Sequence, residues 1–253
     1  SMGLKRVLIL GGTGDAVALA GSVAEIPGVE VITSLAGRTR FPTVSTPNTR
    51  IGGFGGVTGL ADYLQKQQIN LLIDATHPFA SQISWNAAAA AKEIGIPHLM
   101  VSRLAWQPSA DDRWMMVESN QAAAMLLPEI ARRVFLTIGR QELSTFAHLQ
   151  DLWFLMRMID PPQPGAQVPP GKLLLKRGPF SLEQERSLLL QYEIEAIVSK
   201  NSGGDATYAK IIAARELQLP VVMVQRPPTP PGEQVATVTE ALQWIYLHLS
   251  GDT

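Results

Sequence analysis

The feature that most restricts the fold of this chain is an apolar run that passes directly into a glycine-rich turn. Val7-Leu8-Ile9-Leu10 has the unbroken apolar character of a strand buried on both faces of a parallel sheet. Beyond the turn, apolar residues recur at helical spacing from Ala16 to Val23. A strand, a glycine turn and a helix direct backbone N–H groups and a positive helix end towards a phosphate. We therefore predict a nucleotide-binding half whose candidate contacts are Gly11, Gly12, Thr13, Gly14 and Asp15.

The turn matches the dinucleotide fingerprint G-x-G-x-x-G only in part. Gly12 and Gly14 supply its first two glycines, but Val17 occupies the third position. A turn that serves only for packing therefore remains an alternative. The chain has no G-x-x-x-x-G-K-[ST] motif, which argues against an ATP-binding loop.

A second predicted strand, Glu30–Ser34, leads to a segment where a dinucleotide would place its adenine ribose. An acidic residue there binds a free 2′-hydroxyl, whereas arginine suits a 2′-phosphate. The segment contains Ser34, Gly37, Arg38 and Arg40 and no acid, which favours NADP over NAD. Two solvated arginines in a loop are the alternative.

Two later segments of the first half are further candidates for cofactor contacts. Gly53 and Phe54 lie in a run of four glycines, which indicates close approach to a ligand, a lid or a flexible connection. Thr76 and His77 follow the buried strand Leu71–Asp74, at the strand end where ligands of open α/β sheets bind. A structural role for His77 is the alternative.

The second half repeats the alternation of strands and helices after an irregular segment at residues 102–118. We predict an α/β protein with two Rossmann-like parallel-sheet domains, residues 1–110 and 111–253, that face each other across a cleft. In the second domain, basic residues suited to carboxylates or phosphates lie in or near the segments that follow predicted strands: Arg140, Lys176, Arg177, Lys200 and Lys210.

Composition excludes several classes of function. The absence of cysteine rules out disulfides and thiolate sites, and is compatible with a cytoplasmic location. A net charge of −1 gives no indication of a nucleic-acid partner, and no apolar run approaches the length of a membrane span. Histidine and acidic residues show no metal-ligand spacing, and no convincing acid–base pair is evident. Hydride transfer suits such a chain because the cofactor carries the difficult chemistry.

The motifs together resemble the precorrin-6A reductase family of cobalamin biosynthesis, in order and over nearly the whole chain. The motifs that carry the resemblance are Gly11–Asp15, Ala36–Arg38, Gly53–Gly56, Asp74–Ala80, Ile138–Arg140 and Ser199–Gly204. The resemblance implies an NADPH-dependent reductase that converts precorrin-6A, or its cobalt-containing counterpart, to precorrin-6B. It also implies that the acetate and propionate arms of this tetrapyrrole meet the second domain. The candidate residues there are Arg140, Lys176, Ser199, Lys200, Asn201, Ser202, Gly203 and Lys210.

The resemblance identifies no proton donor; His77 and Lys200 are candidates, and water is another. A short-chain or epimerase-type reductase is disfavoured, because none of the four tyrosines is followed by lysine four residues later. Two alternative functions are a non-catalytic binding protein for an anionic ligand and a tetrapyrrole enzyme without redox chemistry. The oligomeric state stays undetermined.

If Arg38 contacts the 2′-phosphate, Arg38→Ala should weaken NADPH binding by about 1–3 kcal/mol, as expected for a lost charge-assisted contact. NADH binding should be nearly unchanged, because NADH lacks that phosphate. Titration calorimetry with both cofactors measures the two losses, and equal losses would contradict this role.

Overall fold

The computed structural model describes residues 3–36 and 48–251, and it forms two units that each contain a parallel six-stranded sheet. The first unit is Ser1–Leu104 with Pro227–Thr253, and the second is Ala105–Arg226. The strands, in chain order, are β1 (Lys5–Leu10), β2 (Val29–Leu35), β3 (Thr49–Ile51), β4 (Leu71–Asp74), β5 (His98–Val101), β6 (Arg113–Val117), β7 (Arg133–Thr137), β8 (Trp153–Met158), β9 (Gly171–Leu175), β10 (Ala196–Lys200), β11 (Pro220–Val224) and β12 (Glu233–Val235). The α-helices are α1 (Gly14–Ala24), α2 (Gly56–Lys66), α3 (Ser81–Ile94), α4 (Asn120–Leu126), α5 (Leu182–Gln191), α6 (Ala209–Glu216) and α7 (Val238–Ser250). Two 3-10 helices cover Leu127–Glu129 and Arg140–Phe146.

The first sheet has the strand order of a dinucleotide-binding fold. Its order is β3-β2-β1-β4-β5-β12, so the direction of winding reverses between β1 and β4. The sixth place is taken by a strand from the end of the chain, whose Val235 pairs with Val101 of β5. Ligands of such sheets bind beyond the carboxyl ends of the strands at the reversal.

The second sheet repeats this order as β9-β8-β7-β10-β11, with β6 in the sixth place. Thus β6 precedes the other strands of its sheet along the chain. Two Rossmann-like parallel sheets confirm the predicted fold class. The division of the chain differs from the predicted ranges 1–110 and 111–253, because β12 pairs with β5 and α7 packs on the first sheet.

Side chains of β1 alternate between the two faces of the first sheet, and helices cover both faces. Val7 and Ile9 pack with apolar residues of α1 and α7, whereas Leu8 and Leu10 pack with those of α2 and α3. None of these four side chains is more than 2% exposed. Burial on both faces explains why the run lacks polar residues.

The glycine-rich segment before α2 folds back onto that helix at Gly59. A Cβ atom at Gly59 would lie 1.7 Å from the carbonyl oxygen of Phe54, so the segment packs directly on the helix backbone. Gly55, the N-cap of α2, has a φ of 89°, a conformation that glycine adopts without steric cost. Close packing therefore accounts for at least part of this run of glycines.

We expect Gly59→Ala to lower the free energy of unfolding by about 1–3 kcal/mol, because the added methyl group must displace backbone atoms. Gly21→Ala is the matched control, since a Cβ atom there would meet nothing within 4 Å. That change should stabilise α1 by about 0.5–1 kcal/mol. Urea denaturation measures both effects, and a stable Gly59→Ala variant would contradict the packing argument.

Candidate functional site

The first glycine turn lies at the reversal point of the first sheet and is tied to strands on both sides. The Gly11 amide donates to the carbonyl oxygen of Ser34 at 2.8 Å, which joins the turn to β2. The Thr13 hydroxyl donates to the carbonyl oxygen of Ala75 at 2.7 Å, which joins it to the residue after β4. The same hydroxyl accepts the Ala16 amide at 3.2 Å and caps α1. These bonds fix the first turn of α1 at the reversal.

Open space above this turn fits the approach of a diphosphate. A Cβ atom added at Gly12 or Gly14 would meet nothing within 4 Å, and Gly12 has a φ of 114°. Val17, in the third fingerprint position, is 46% exposed. The glycine there normally permits close packing of helix on strand. Because Val17 points away from the sheet, its side chain does not interfere with that packing.

Asp15, a predicted cofactor contact, forms a two-point ion pair with Arg103 beyond the end of β5. The Arg103 Nε and Nη2 atoms donate to the Asp15 carboxylate at 2.7 and 2.8 Å. The positive charge of Arg103 offsets the negative charge of Asp15 near the positive end of α1. The ion pair also holds the half-exposed Arg103 side chain beside the glycine turn. The sequence gave no signal for this pairing.

Arg50, which the sequence did not single out, organises the predicted ribose side of the site. Its Nη1 atom donates to the Ser34 hydroxyl at 3.2 Å, and its Nη2 atom donates to the Gly53 carbonyl at 3.0 Å. The guanidinium lies 3.8 Å from the centre of the Phe54 ring. Ser34, Gly53 and Phe54 are thus brought together around one cation. Gly37 and Arg38 lie outside the described residues.

Thr76 and His77 lie beyond the carboxyl end of β4, as predicted. The Thr76 amide and hydroxyl donate to Asp74 Oδ1 at 3.1 and 2.6 Å. The Phe79 amide donates to Nδ1 of the exposed His77 ring at 3.2 Å, so a neutral ring carries its proton on Nε2.

Part of the Ser199–Gly203 segment is buried and holds its own loop in place. The Asn201 side chain accepts the Trp106 amide at 2.7 Å and donates to the Trp106 carbonyl at 3.0 Å. Arg226 donates to the carbonyl oxygens of Asn201 and Ser202 at 2.8 and 2.9 Å. Ser199 is fully buried. Ser199 and Asn201 therefore shape the loop, while Ser202 is partly exposed.

Lys200 pairs with the carboxylate of Glu142, which the sequence did not single out. Its Nζ atom lies 2.5 Å from Glu142 Oε2, which also accepts the Gly139 amide at 3.1 Å. Asn120 donates to Glu142 Oε1 at 3.2 Å. The pair lies at the ends of β7 and β10, where the second sheet reverses. Of the other predicted substrate residues, Arg140 donates to the Pro161 carbonyl at 2.9 Å, and Lys176 is exposed.

Lys210 lies in the interior rather than on the surface expected of a residue that meets substrate arms. It is 6% exposed, and its Nζ atom donates to the Thr207 carbonyl at 3.0 Å. A buried two-point ion pair between Arg157 and Glu185, at 2.5 and 2.8 Å, lies nearby. Burial lowers the pKa of Lys210 to about 8; Glu185 opposes this shift and Arg157 adds to it.

The unfolded chain retains the ordinary lysine pKa of 10.5. Below about pH 8 Lys210 is charged in both states, so the full free-energy cost of burying the ammonium lowers the stability. Between about pH 8 and 10.5 the folded chain loses this proton first, and the cost fades. We expect wild-type stability to rise over this interval relative to Lys210→Met, which has no such proton. Urea denaturation across the interval measures the difference. Lys66→Met, the same change at an exposed helix position, is the control. A wild-type-to-variant difference that is constant with pH would contradict the prediction.

No helix in residues 3–36 or 48–251 is long and apolar enough to cross a membrane. Within the same ranges, no three histidine, cysteine or acidic residues are grouped so that they could hold a metal ion.

Known proteins match this chain both in sequence and in fold. The profile of the family described as Precorrin-6x reductase CbiJ/CobK matches residues 6–246. A precorrin-6A reductase of Rhodococcus erythropolis is 49% identical, covering 96% of this chain and 98% of that protein. A cobalt-precorrin-6A reductase of Priestia megaterium is 31% identical, covering 93% and 96%. A solved structure described as CobK precorrin-6A reductase has a TM-score of 0.91 and 42% identity, covering 97% of each chain. The predicted resemblance is confirmed, and this chain belongs to the precorrin-6x reductase family.

Proposed function

We propose that this chain uses NADPH to reduce one carbon–carbon double bond of precorrin-6A, giving precorrin-6B. Membership of a reductase family over nearly the full length is the observation that carries the proposal. The capped glycine turn at the reversal of the first sheet supports a dinucleotide in that unit.

In this proposal, the first unit holds the cofactor through the predicted residues together with Arg103 and Arg50. The diphosphate lies over Gly12 and Gly14, at the positive end of α1. Arg103, held by Asp15, adds a fixed cation beside it. Support for NADPH over NADH comes from Ser34 at the end of β2, where an acid would bind a free 2′-hydroxyl. Arg50 beside Ser34 favours a phosphate, and Arg38 would add to this preference.

The second unit supplies cations for the carboxylate arms of the macrocycle. Lys200, Arg140 and Lys176 lie at or just beyond strand ends of its sheet and suit carboxylates. The metal-free substrate is favoured, because the relative named for precorrin-6A is 49% identical and the relative named for the cobalt form is 31% identical.

The reaction requires a hydride at one macrocycle carbon and a proton at its neighbour. NADPH supplies the hydride when bound, so the chain contributes mainly by positioning the reactants. His77 Nε2 and the Lys200 ammonium are the candidate proton sources in the chain, with water as the alternative.

The first test is titration calorimetry with NADPH, NADP⁺ and NADH, followed by spectroscopic assay of precorrin-6A reduction. We expect the phosphorylated cofactors to bind more tightly than NADH, and NADPH to be consumed with the macrocycle. Absence of binding, also with a tetrapyrrole analogue present, would favour an anion-binding protein or a non-redox enzyme.

A paired substitution in α1 tests the position of the diphosphate. Gly14→Val should weaken NADPH binding at least about tenfold, because the side chain enters the space that the phosphates require. Gly21→Val is the control on the same helix, since both positions open onto empty space. Unchanged affinity in a folded Gly14→Val variant would contradict the placement.

A further inference from the structure

A small pocket with both polar and apolar residues in its wall lies beyond the ends of β4, β5 and β12 in the first unit. Asp74, Ser84, Ser102, Thr229 and Gln234 contribute polar groups to its wall. Its volume of about 30 Å³ accommodates roughly two water molecules or a group of similar size. The pocket therefore suits a small end group of a ligand, but not an aromatic ring.

Asp74 provides the strongest acceptor in this pocket. Asp74 is only 3% exposed. The hydrogen bonds that it accepts from described residues both end on Oδ1, from the Thr76 amide and hydroxyl. Lone pairs of Oδ2 thus remain available for a donor, and a buried carboxylate is stabilised by each donor that reaches it. The same negative charge disfavours a phosphate or carboxylate ligand.

Ser102 provides a second polar group without a partner. Its Oγ atom is buried and has no hydrogen-bond partner among the described residues. Its backbone is fixed, because the Ser102 amide donates to the Val235 carbonyl at 3.0 Å. A hydroxyl buried in this way requires a partner that a bound ligand can supply. The pocket thus contains an acceptor for an N–H group, the Asp74 carboxylate, and an O–H donor, the Ser102 hydroxyl. A primary carboxamide has the matching N–H and carbonyl groups.

The strand order places this pocket on one side of the reversal. A dinucleotide spans the reversal with one mononucleotide half on each side. Ser34 and Arg50 lie on the side of β2 and β3, where the sequence predicts the adenine ribose. The nicotinamide half then lies on the side of β4, β5 and β12, beside the pocket.

We propose that this pocket binds the carboxamide of the nicotinamide, with its NH₂ group donating to Asp74 and its carbonyl oxygen accepting from the Ser102 hydroxyl. The inference rests on the proposed cofactor. Holding the carboxamide restricts rotation of the ring, so one face of the ring is presented for hydride transfer. Asp74 and Ser102 thereby become positioning residues for the reaction.

Calorimetry with three ligands tests this assignment: NADP⁺, its 3-acetylpyridine analogue and 2′-phospho-ADP-ribose. The analogue replaces the carboxamide NH₂ with a methyl group, and the third ligand lacks the nicotinamide. We expect wild type to prefer NADP⁺ over the analogue by about tenfold or more, the effect of a lost charge-assisted hydrogen bond. Asp74→Asn should remove most of this preference and leave 2′-phospho-ADP-ribose binding unchanged.

Ser102→Ala provides an independent signature if Asp74→Asn fails to fold. It should weaken NADP⁺ and the analogue by the same factor, because both keep the carbonyl oxygen. Asp62→Asn, the same chemical change at an exposed position of α2, should alter none of the three affinities.

The outcomes separate this inference from the proposed function. The carboxamide assignment is overturned if the preference for NADP⁺ over the analogue persists in Asp74→Asn. It is also overturned if wild type binds the two ligands equally. In both cases NADP⁺ binding still supports the reductase. If 2′-phospho-ADP-ribose and both dinucleotides fail to bind, the cofactor proposal and this inference fail together.

Discussion

The first unit depends on the hydrogen bonds that fix the turn after β1 at the reversal of the sheet. The Thr13 hydroxyl caps α1 and also donates to the carbonyl of Ala75, so one side chain joins the helix to the neighbouring strand end. The Gly11 amide makes the corresponding connection to β2 through Ser34. Because these bonds tie the turn to strand ends on both of its sides, the glycine turn, Ser34 and the Thr76 segment keep fixed positions relative to one another.

In each unit, a cation near a strand end is held by a carboxylate. Asp15 orients Arg103, and Glu142 orients Lys200. Each pair keeps a cation near a strand end while limiting the number of conformations that it must lose when an anion binds. The buried pair of Arg157 and Glu185 has a different effect, since it places charge beside Lys210 in the interior. Removing one member of such a pair leaves the other charge without compensation.

Much of the strand pattern and the local caps could be predicted, because each depends on neighbours in sequence. The capping box formed by Ser181 and Gln184 is one example, because the two residues lie only three positions apart. The three-residue strands β3 and β12 were missed, since segments this short carry little periodicity. Lys210, a predicted substrate contact, is buried. Its helix contains alanine on several sides, so the pattern did not indicate which side is buried.

The sequence by itself determined two parallel-sheet units, a glycine turn able to approach a phosphate, and the family to which the chain belongs. These features reside in short contiguous segments whose backbone preferences are local. Only the tertiary structure decided that β12 completes the first sheet, that Arg50 joins Ser34 to the glycine segment, and that Asp74 and Ser102 share one pocket. Each of these depends on contacts between segments far apart along the chain, which form only when the sheet brings the strand ends to one edge.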